Sequence, residues 1–444
     1  MQIKLEGITL KMKHFCTVII CLILFSQVLL AQGTAGSEDN QSTQDTITVP
    51  REEFENLKSE VANLQQQIQQ LQNNQKSENA SPELFGGSTI DSENADISTE
   101  TSQSPYEVGG HSLALPDISF VAQAKGRVSS DKQDDSRNRV RLSEAELAVQ
   151  GYVYPGVRAD AFITMSPAED EPAQVEEAYL TCIGVRQGLN LYIGKKHVSF
   201  GRTNILHCHS WLYVNQPLAI RNLVAEESVS GEGFALSYIL PFKSNLHTQL
   251  DLGTWTSGEP GESTQLPDIL RGQGAGFNNR FNTARLWNSY AIAENGELEL
   301  GCSYAGGNSE DLATSVTGKV RLTGLDISYR RFGEANRRLL IRGENFWRRE
   351  ELSDTTSTAT GYYLFGNYRW DKYNSIGLLY DWSEFPQATD LHESALSLIY
   401  TKQFSEQYYL RVQATRGSRP DCGNYNELLL QWVWGIGPHT HNLE

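Results

Sequence analysis

Leu325-Asp326-Ile327-Ser328-Tyr329-Arg330 alternates apolar and polar side chains without a break. Successive side chains of a strand point to opposite faces. Leu325, Ile327 and Tyr329 would therefore share one face, and Asp326, Ser328 and Arg330 the other. The split recurs downstream: Ile376, Leu378, Tyr380 and Trp382 alternate with Ser375, Gly377 and Asp381. Tyr408, Leu410, Val412 and Ala414 likewise alternate with Tyr409, Arg411, Gln413 and Thr415. A strand that is greasy on one side and wet on the other suits a wall between lipid and a water-filled bore.

Working outward, strand-like segments start near Ile118, Arg139, Val157, Val175, Asn190, Glu232, Leu246, Ala284, Glu297, Val320, Arg337, Gly361, Tyr373, Ser394, Gln407 and Tyr425. Counted from the first, every even-to-odd connection is short, as at Tyr154-Pro155-Gly156, Arg186-Gln187-Gly188, Glu294-Asn295-Gly296 and Asp371-Lys372. The odd-to-even connections read as longer and more polar. Tight turns on one rim and long loops on the other are how an outer-membrane barrel is built. The predicted fold class is therefore all-β: a transmembrane antiparallel β-barrel of about sixteen strands over residues 117–444. Residues Arg139 to Gly151 break the alternation, which predicts a bulge. Trp255, Trp287, Trp347, Trp370, Tyr373, Trp382, Trp432 and Trp434 near strand ends predict interfacial girdles.

The N-terminal quarter follows other rules. A basic start, Met12-Lys13-His14, precedes an apolar run from Phe15 to Leu30 and then Ala31, which reads residues 1–31 as a signal peptide rather than a membrane anchor. Met12 is an alternative start. Residues 32–49 are a polar spacer expected to be disordered. Phe54, Leu57, Val61, Leu64, Ile68 and Leu71 recur at steps of three and four, so residues 50–75 are predicted to form a short coiled-coil helix behind Thr48 and Pro50. Residues 76–116 read as a disordered acidic linker. Residues 32–116 carry fourteen acidic and three basic side chains, so much of the net charge of −17 lies outside the predicted barrel. That balance, without a basic patch, excludes nucleic acid as a partner.

The alternation assigns Asp326, Arg330, Arg342, Glu344, Arg369, Asp381 and Arg411 to the pore lining, where charges of both signs argue against strong ion selectivity. The third long loop, about Ser199 to Ser230, exceeds what a connector needs. It is expected to fold into the bore and form a constriction with His207, His209, Trp211, Arg221, Glu226 and Glu227. His207 and His209 flank Cys208, and His439 and His441 form a second pair; imidazoles so spaced can chelate zinc, nickel or copper. Strand parity puts the two pairs at opposite rims of a ~25 Å band, hence two separate sites if they bind metal. Zinc is the one cofactor these residues suggest. Cys182, Cys208, Cys302 and Cys422 form no C-x-x-C pair and demand no disulfide.

For catalysis, His209-Ser210 is the candidate hydrolase pair and Glu176-Glu177 the candidate paired carboxylates. Adjacent strand residues face opposite ways, so Glu176 and Glu177 are not expected to share a substrate. No nucleophile elbow, Walker loop or Rossmann glycine pattern occurs, and no enzymatic activity is expected.

Several stretches together resemble a family of bacterial porin-like outer-membrane proteins described as phosphate-selective-porin-like or zinc-regulated. They are Glu176-Glu177-Ala178-Tyr179, Gly194-Lys195-Lys196 leading to His207-Cys208-His209-Ser210-Trp211, Gly343-Glu344-Asn345-Phe346-Trp347-Arg348-Arg349, and Asn426-Glu427-Leu428-Leu429-Leu430-Gln431-Trp432 with Gly437-Pro438-His439. The resemblance implies a porin-type barrel, and it extends the zinc expectation to His207, His209, His439 and His441. Phosphate selectivity is not implied, because no ladder of lysines marks the bore.

The expected function is an outer-membrane porin of a Gram-negative bacterium: a passive channel for small hydrophilic solutes or ions, linked to uptake of zinc or another metal. The alternative is a non-conducting structural or binding barrel tethered to periplasmic partners through the coiled coil. Lipid of the outer membrane and further copies of the chain, as a trimer or dimer, are the expected partners, with the N-terminal segment in the periplasm.

Overall fold

The computed structural model describes residues 106–108, 111–113 and 115–438, apart from 133, 135, 167–172, 226, 243–245, 258–275, 312–315, 353–354 and 387. The segments expected to be signal peptide, spacer and coiled coil lie outside the described residues, as do Glu226, His439 and His441. The linker expected to lack structure carries a short hairpin, β1 (Tyr106–Val108) paired with β2 (His111–Leu113). Tyr106 and Val108, both strand-favouring, precede two glycines in the sequence, a pattern that favours a hairpin.

The barrel strands are β3 (Asp117–Ser129), β4 (Arg139–Tyr154), β5 (Val157–Met165), β6 (Ala173–Arg186), β7 (Leu189–His197), β8 (Ser230–Ile239), β9 (Leu246–Thr256) and β10 (Gly276–Ile292). They continue with β11 (Gly296–Asp311), β12 (Val316–Phe332), β13 (Arg338–Leu352), β14 (Thr355–Arg369), β15 (Asn374–Phe385), β16 (Ala388–Ser405), β17 (Tyr408–Arg419) and β18 (Gly423–Ile436). Each pairs antiparallel with its neighbours, and β18 returns to β3 from Glu427 opposite Ser129 to Ile436 opposite Phe120. The sheet is a closed barrel of sixteen antiparallel strands. Closure leaves no strand edge, so every ladder group can find a partner within the wall.

Side-chain placement follows the alternation. Leu325, Ile376, Leu378, Tyr380 and Leu398 are exposed on the outer face, while Asp326, Ser328, Asp381, Arg411 and Gln413 are buried on the inner one. Sixteen segments are expected and sixteen are found, but three begin six or more residues earlier: β10 at Gly276, β14 at Thr355 and β16 at Ala388. These early ends lie at the long-loop rim, where strands run past the greasy band and the pattern fades. The loop-length parity therefore weakens there. Beyond β13, β14 follows at Thr355 and β16 follows β15 at Ala388, so the late connections are tight.

Two bulges shape the wall near the site. The predicted one falls in β4, where Gln123 faces Glu144 and Ala124 faces Leu142, leaving Ser143 unpaired. The second, in β6, pairs Phe162 with Glu177 and Ile163 with Val175, leaving Glu176 extra. Two of the expected girdle tryptophans are instead turned inward. Trp255 is buried and its indole donates to Thr283 Oγ1 at 2.9 Å, and Trp287 lines the bore.

Candidate functional site: a loop that divides the bore

The segment between His197 and Ser230 runs inside the barrel, and most of its residues are buried. Asn204 clamps its two ends: the amide donates to the carbonyls of Val198 (2.9 Å) and Val229 (3.0 Å), and Oδ1 accepts from Val229 N–H at 2.7 Å. Gly201 then approaches Glu344 with φ +63°, where an added Cβ would lie 2.3 Å from the Glu344 Oε2. Only glycine accommodates both the left-handed backbone and that approach. Glu344 accepts from Arg202 N–H (2.7 Å), Thr203 N–H (3.1 Å), the Thr203 hydroxyl (2.6 Å) and the Tyr363 hydroxyl (2.6 Å).

From there the loop crosses the bore. A 3-10 turn, Cys208–Ser210, faces β4 and β6, and the carbonyls of His209 and Tyr213 accept from Tyr409 and Arg411 on β17. Val214 N–H donates to Gln413 at 2.8 Å. Helix α1 (Leu218–Leu223), opened by Pro217, lies against β13 to β16. Leu218 N–H donates to Asp381 at 3.3 Å, Arg221 pairs with Glu393 at 2.9 Å, and Arg348 donates to the Leu223 carbonyl at 3.1 Å. Gly361 lets the helix close in, since a Cβ there would meet Leu223 Cδ1 at 2.9 Å and Ala219 Cβ at 3.1 Å.

This arrangement divides the lumen. On the β9 to β16 side, Phe200, Leu206, Trp211, Tyr213, Ile220 and Leu223 of the loop form one apolar cluster with wall residues including Phe281, Leu322, Phe346, Tyr363, Phe365 and Leu379. Apolar residues at inward positions are otherwise out of place in a wet bore, and here each finds a dry partner. On the other side a cavity of about 600 Å³ remains between the loop and the β4 to β12 wall. Arg158, Lys196, Arg202 and Arg285 line it beside Asp160, Asp251, Glu299 and Asp326. Several pair directly, as Arg158 with Asp160 and Arg285 with Asp326, both at 2.9 Å.

The residues singled out in the sequence fall at different places. Asp326 is in the cavity wall; Glu344 lies under the loop's start, and Asp381 and Arg411 under its later part. Arg342 is buried and donates to Ser328 Oγ at 3.1 Å. Arg330 pairs with Glu299 at 3.0 Å. Arg369 stands at the tight-turn rim, donating to the Asn336 carbonyl at 3.1 Å. Trp211 belongs to the apolar cluster, and Glu227 accepts at its backbone carbonyl from Gln216 at 2.7 Å.

His207 is enclosed by carboxylates that sequence reasoning did not assign to it. Its Nδ1 lies 2.7 Å from Glu146 Oε2 and 3.4 Å from Glu176 Oε2, and its Nε2 lies 2.9 Å from Glu177 Oε2. Glu176 and Glu177 therefore do converge on one group, contrary to the strict alternation expected of them. The bulge at Glu176 places an extra residue on the strand and turns both carboxylates to the same side. His197 was also missed; it ends β7 beside Lys195-Lys196 and reaches Glu176 at 3.3 Å. His209 belongs to a second group with Glu144 and Cys208. The cysteines at 182, 208, 302 and 422 are free thiols.

No family model matches the sequence. An uncharacterized protein of Aquifex aeolicus (strain VF5) is 24% identical over 337 residues, which is 67% of this chain and 69% of that one. Among solved structures, the anion-selective porin from Comamonas acidovorans superposes with a TM-score of 0.52 at 9% identity, covering 72% of this chain and 99% of its own. The barrel has the porin fold. The outer-membrane channel DcaP of Acinetobacter baumannii is also similar, with a TM-score of 0.48 at 11% identity, covering 75% of this chain and 100% of that one. At these identities the likeness speaks for the porin fold alone, and the chemistry must come from this chain's own bore.

Proposed function

We propose that the chain is an outer-membrane diffusion channel for small hydrophilic solutes or ions, with its N-terminal segment in the periplasm. The observation that carries this reading is the divided bore: a loop pinned inside the barrel beside a cavity of about 600 Å³ walled by charges of both signs. A constriction with paired charges restricts size more than sign, so selectivity between small anions and cations is weak. Uptake of zinc or another metal ion is the finer form of the proposal, supported by the carboxylates and imidazoles that reach the cavity wall.

Reconstitution into planar bilayers tests it, and stepwise conductance with a modest reversal potential is expected. The apolar cluster that fills the β9 to β16 side favours one competing reading, a non-conducting binding or structural barrel. A folded, heat-modifiable barrel that never conducts would establish that alternative.

A further inference from the structure

Four carboxylates, those of Glu144, Glu146, Glu176 and Glu177, converge on the imidazoles of His197, His207 and His209, with Lys196 on Glu177 at 3.4 Å. Glu146 and Glu177 are buried, as are all three histidines. Gathering so many carboxylates away from water is unfavourable unless cations compensate them.

Within this group, Glu176, His197 and His207 each offer a ligand atom, and the three atoms lie within 4.8 Å of one another. Glu176 Oε1 is 3.3 Å from His197 Nε2, and Glu176 Oε2 is 3.4 Å from His207 Nδ1. Ligands at ~2.0–2.1 Å from a tetrahedral ion stand about 3.3 Å apart. Glu176 thus already stands at coordination-shell spacing from each imidazole, through one oxygen to each. The outer contacts agree. With Nδ1 given to the ion in place of its 2.7 Å contact with Glu146 Oε2, His207 donates its other N–H from Nε2 to Glu177 at 2.9 Å, the carboxylate–histidine–metal relay that fixes a ligand's tautomer. Glu177 is itself held by the His197 backbone N–H at 2.7 Å. His197 is 3% exposed, its Nδ1 has no hydrogen-bond partner among the described residues, and its Nε2 faces Glu176.

We propose that Glu176, His197 and His207 form a binding site for one divalent transition-metal ion. Two imidazoles and a carboxylate favour a borderline ion such as Zn²⁺ or Ni²⁺ over Mg²⁺, which prefers oxygen. His197 and His207 line the cavity, so the ion reaches the site from the bore. Because Glu176 and His197 belong to the wall and His207 to the loop, a bound ion ties the loop to β6 and β7. The site needs the folded barrel and its loop but not conduction, so it stands whether or not the channel reading does.

The test is calorimetric titration of the untagged, detergent-folded protein with ZnCl₂ and with MgCl₂. One Zn²⁺ per chain and no Mg²⁺ binding are expected. His197→Ala and Glu176→Gln sit on wall strands, and each is expected to weaken Zn²⁺ at least tenfold while the barrel still shows heat-modifiable migration. Cys208→Ser, in the neighbouring group with Glu144 and His209, should leave the affinity unchanged. X-ray absorption should show two imidazole nitrogens and no sulfur at ~2.3 Å. Absence of Zn²⁺ binding, affinity unaltered in both wall variants, or loss of binding in Cys208→Ser would each overturn the proposal. His439 and His441 remain in every variant, so an ion held by the tail would be exposed as binding that survives His197→Ala and Glu176→Gln.

Discussion

The Thr203 hydroxyl donates to Glu344 Oε1 at 2.6 Å across 141 positions of sequence, and this bond fastens the loop to the barrel wall. Three further donors share the carboxylate. Replacing Glu344 with Ala leaves these buried donors without an acceptor, at roughly 1–3 kcal/mol for each one that stays unsatisfied. Glu344→Ala is expected to lower the thermal unfolding midpoint and to release the start of the loop. In bilayers the variant should show larger and noisier conductance steps than the parent, and equal steps would mean that Glu344 does not hold the constriction.

Leu223 closes α1 over the wall and is fully buried in the cluster with Phe346, Tyr363 and Phe365. Truncating a buried Leu loses its transfer free energy and leaves a cavity, together about 2–5 kcal/mol. Leu223→Ala should therefore lower the urea midpoint without changing the strand content measured by circular dichroism. It should also admit larger neutral sugars in a liposome-swelling assay, because the helix is packed inside the bore rather than built into the wall.

The strand positions were legible in sequence because lipid and lumen impose opposite chemistry on alternate residues along every strand. Where β10 and β16 run on beyond that band, the constraint lapses and their first turns could not be read. The length of the loop marked it as unusual, but its partners did not show. Glu344, Asp381 and Gln413 are ordinary inward residues until a distant segment arrives above them. Glu176 is the sharpest case: its pairing with His207 depends on one extra residue in β6, and two adjacent glutamates after Val175 do not show which of them is extra. In β4 the bulge was visible only because it broke an otherwise apolar register.

At the tight-turn rim, Asp371 Oδ1 accepts from Tyr373 N–H (2.6 Å), Asn374 N–H (2.8 Å) and the Asn374 side chain (2.9 Å). The Asn374 side-chain bond, aided by the two backbone bonds, holds this exposed carboxyl below its usual value of 3.8. A carboxyl depressed in the folded state contributes stability above its unfolded pKa and loses it as pH falls through the folded one. Asp371→Ala should therefore be less heat-stable than the parent at pH 7. The gap between the two should narrow from about pH 4 downward. A gap that stays constant into strong acid would show that the charge of Asp371 plays no part in the turn.

Arg158 and Asp160 meet at 2.9 Å on the cavity wall, with the arginine side chain 32% exposed and the aspartate 5% exposed. In the parent the pair presents little net field to a passing ion. Arg158→Gln keeps most of the side-chain bulk and leaves Asp160 uncompensated. A unit charge at 4 Å interacts by about 1 kcal/mol in water, and salt screens part of that. The potassium-to-chloride permeability ratio is accordingly expected to rise about two- to fivefold, read from the reversal potential across a potassium chloride gradient. The shift should shrink as total salt is raised, since a screened local field is its cause. A reversal potential identical to the parent's at low salt would place the conducting path away from Arg158, and so outside the cavity that this wall encloses.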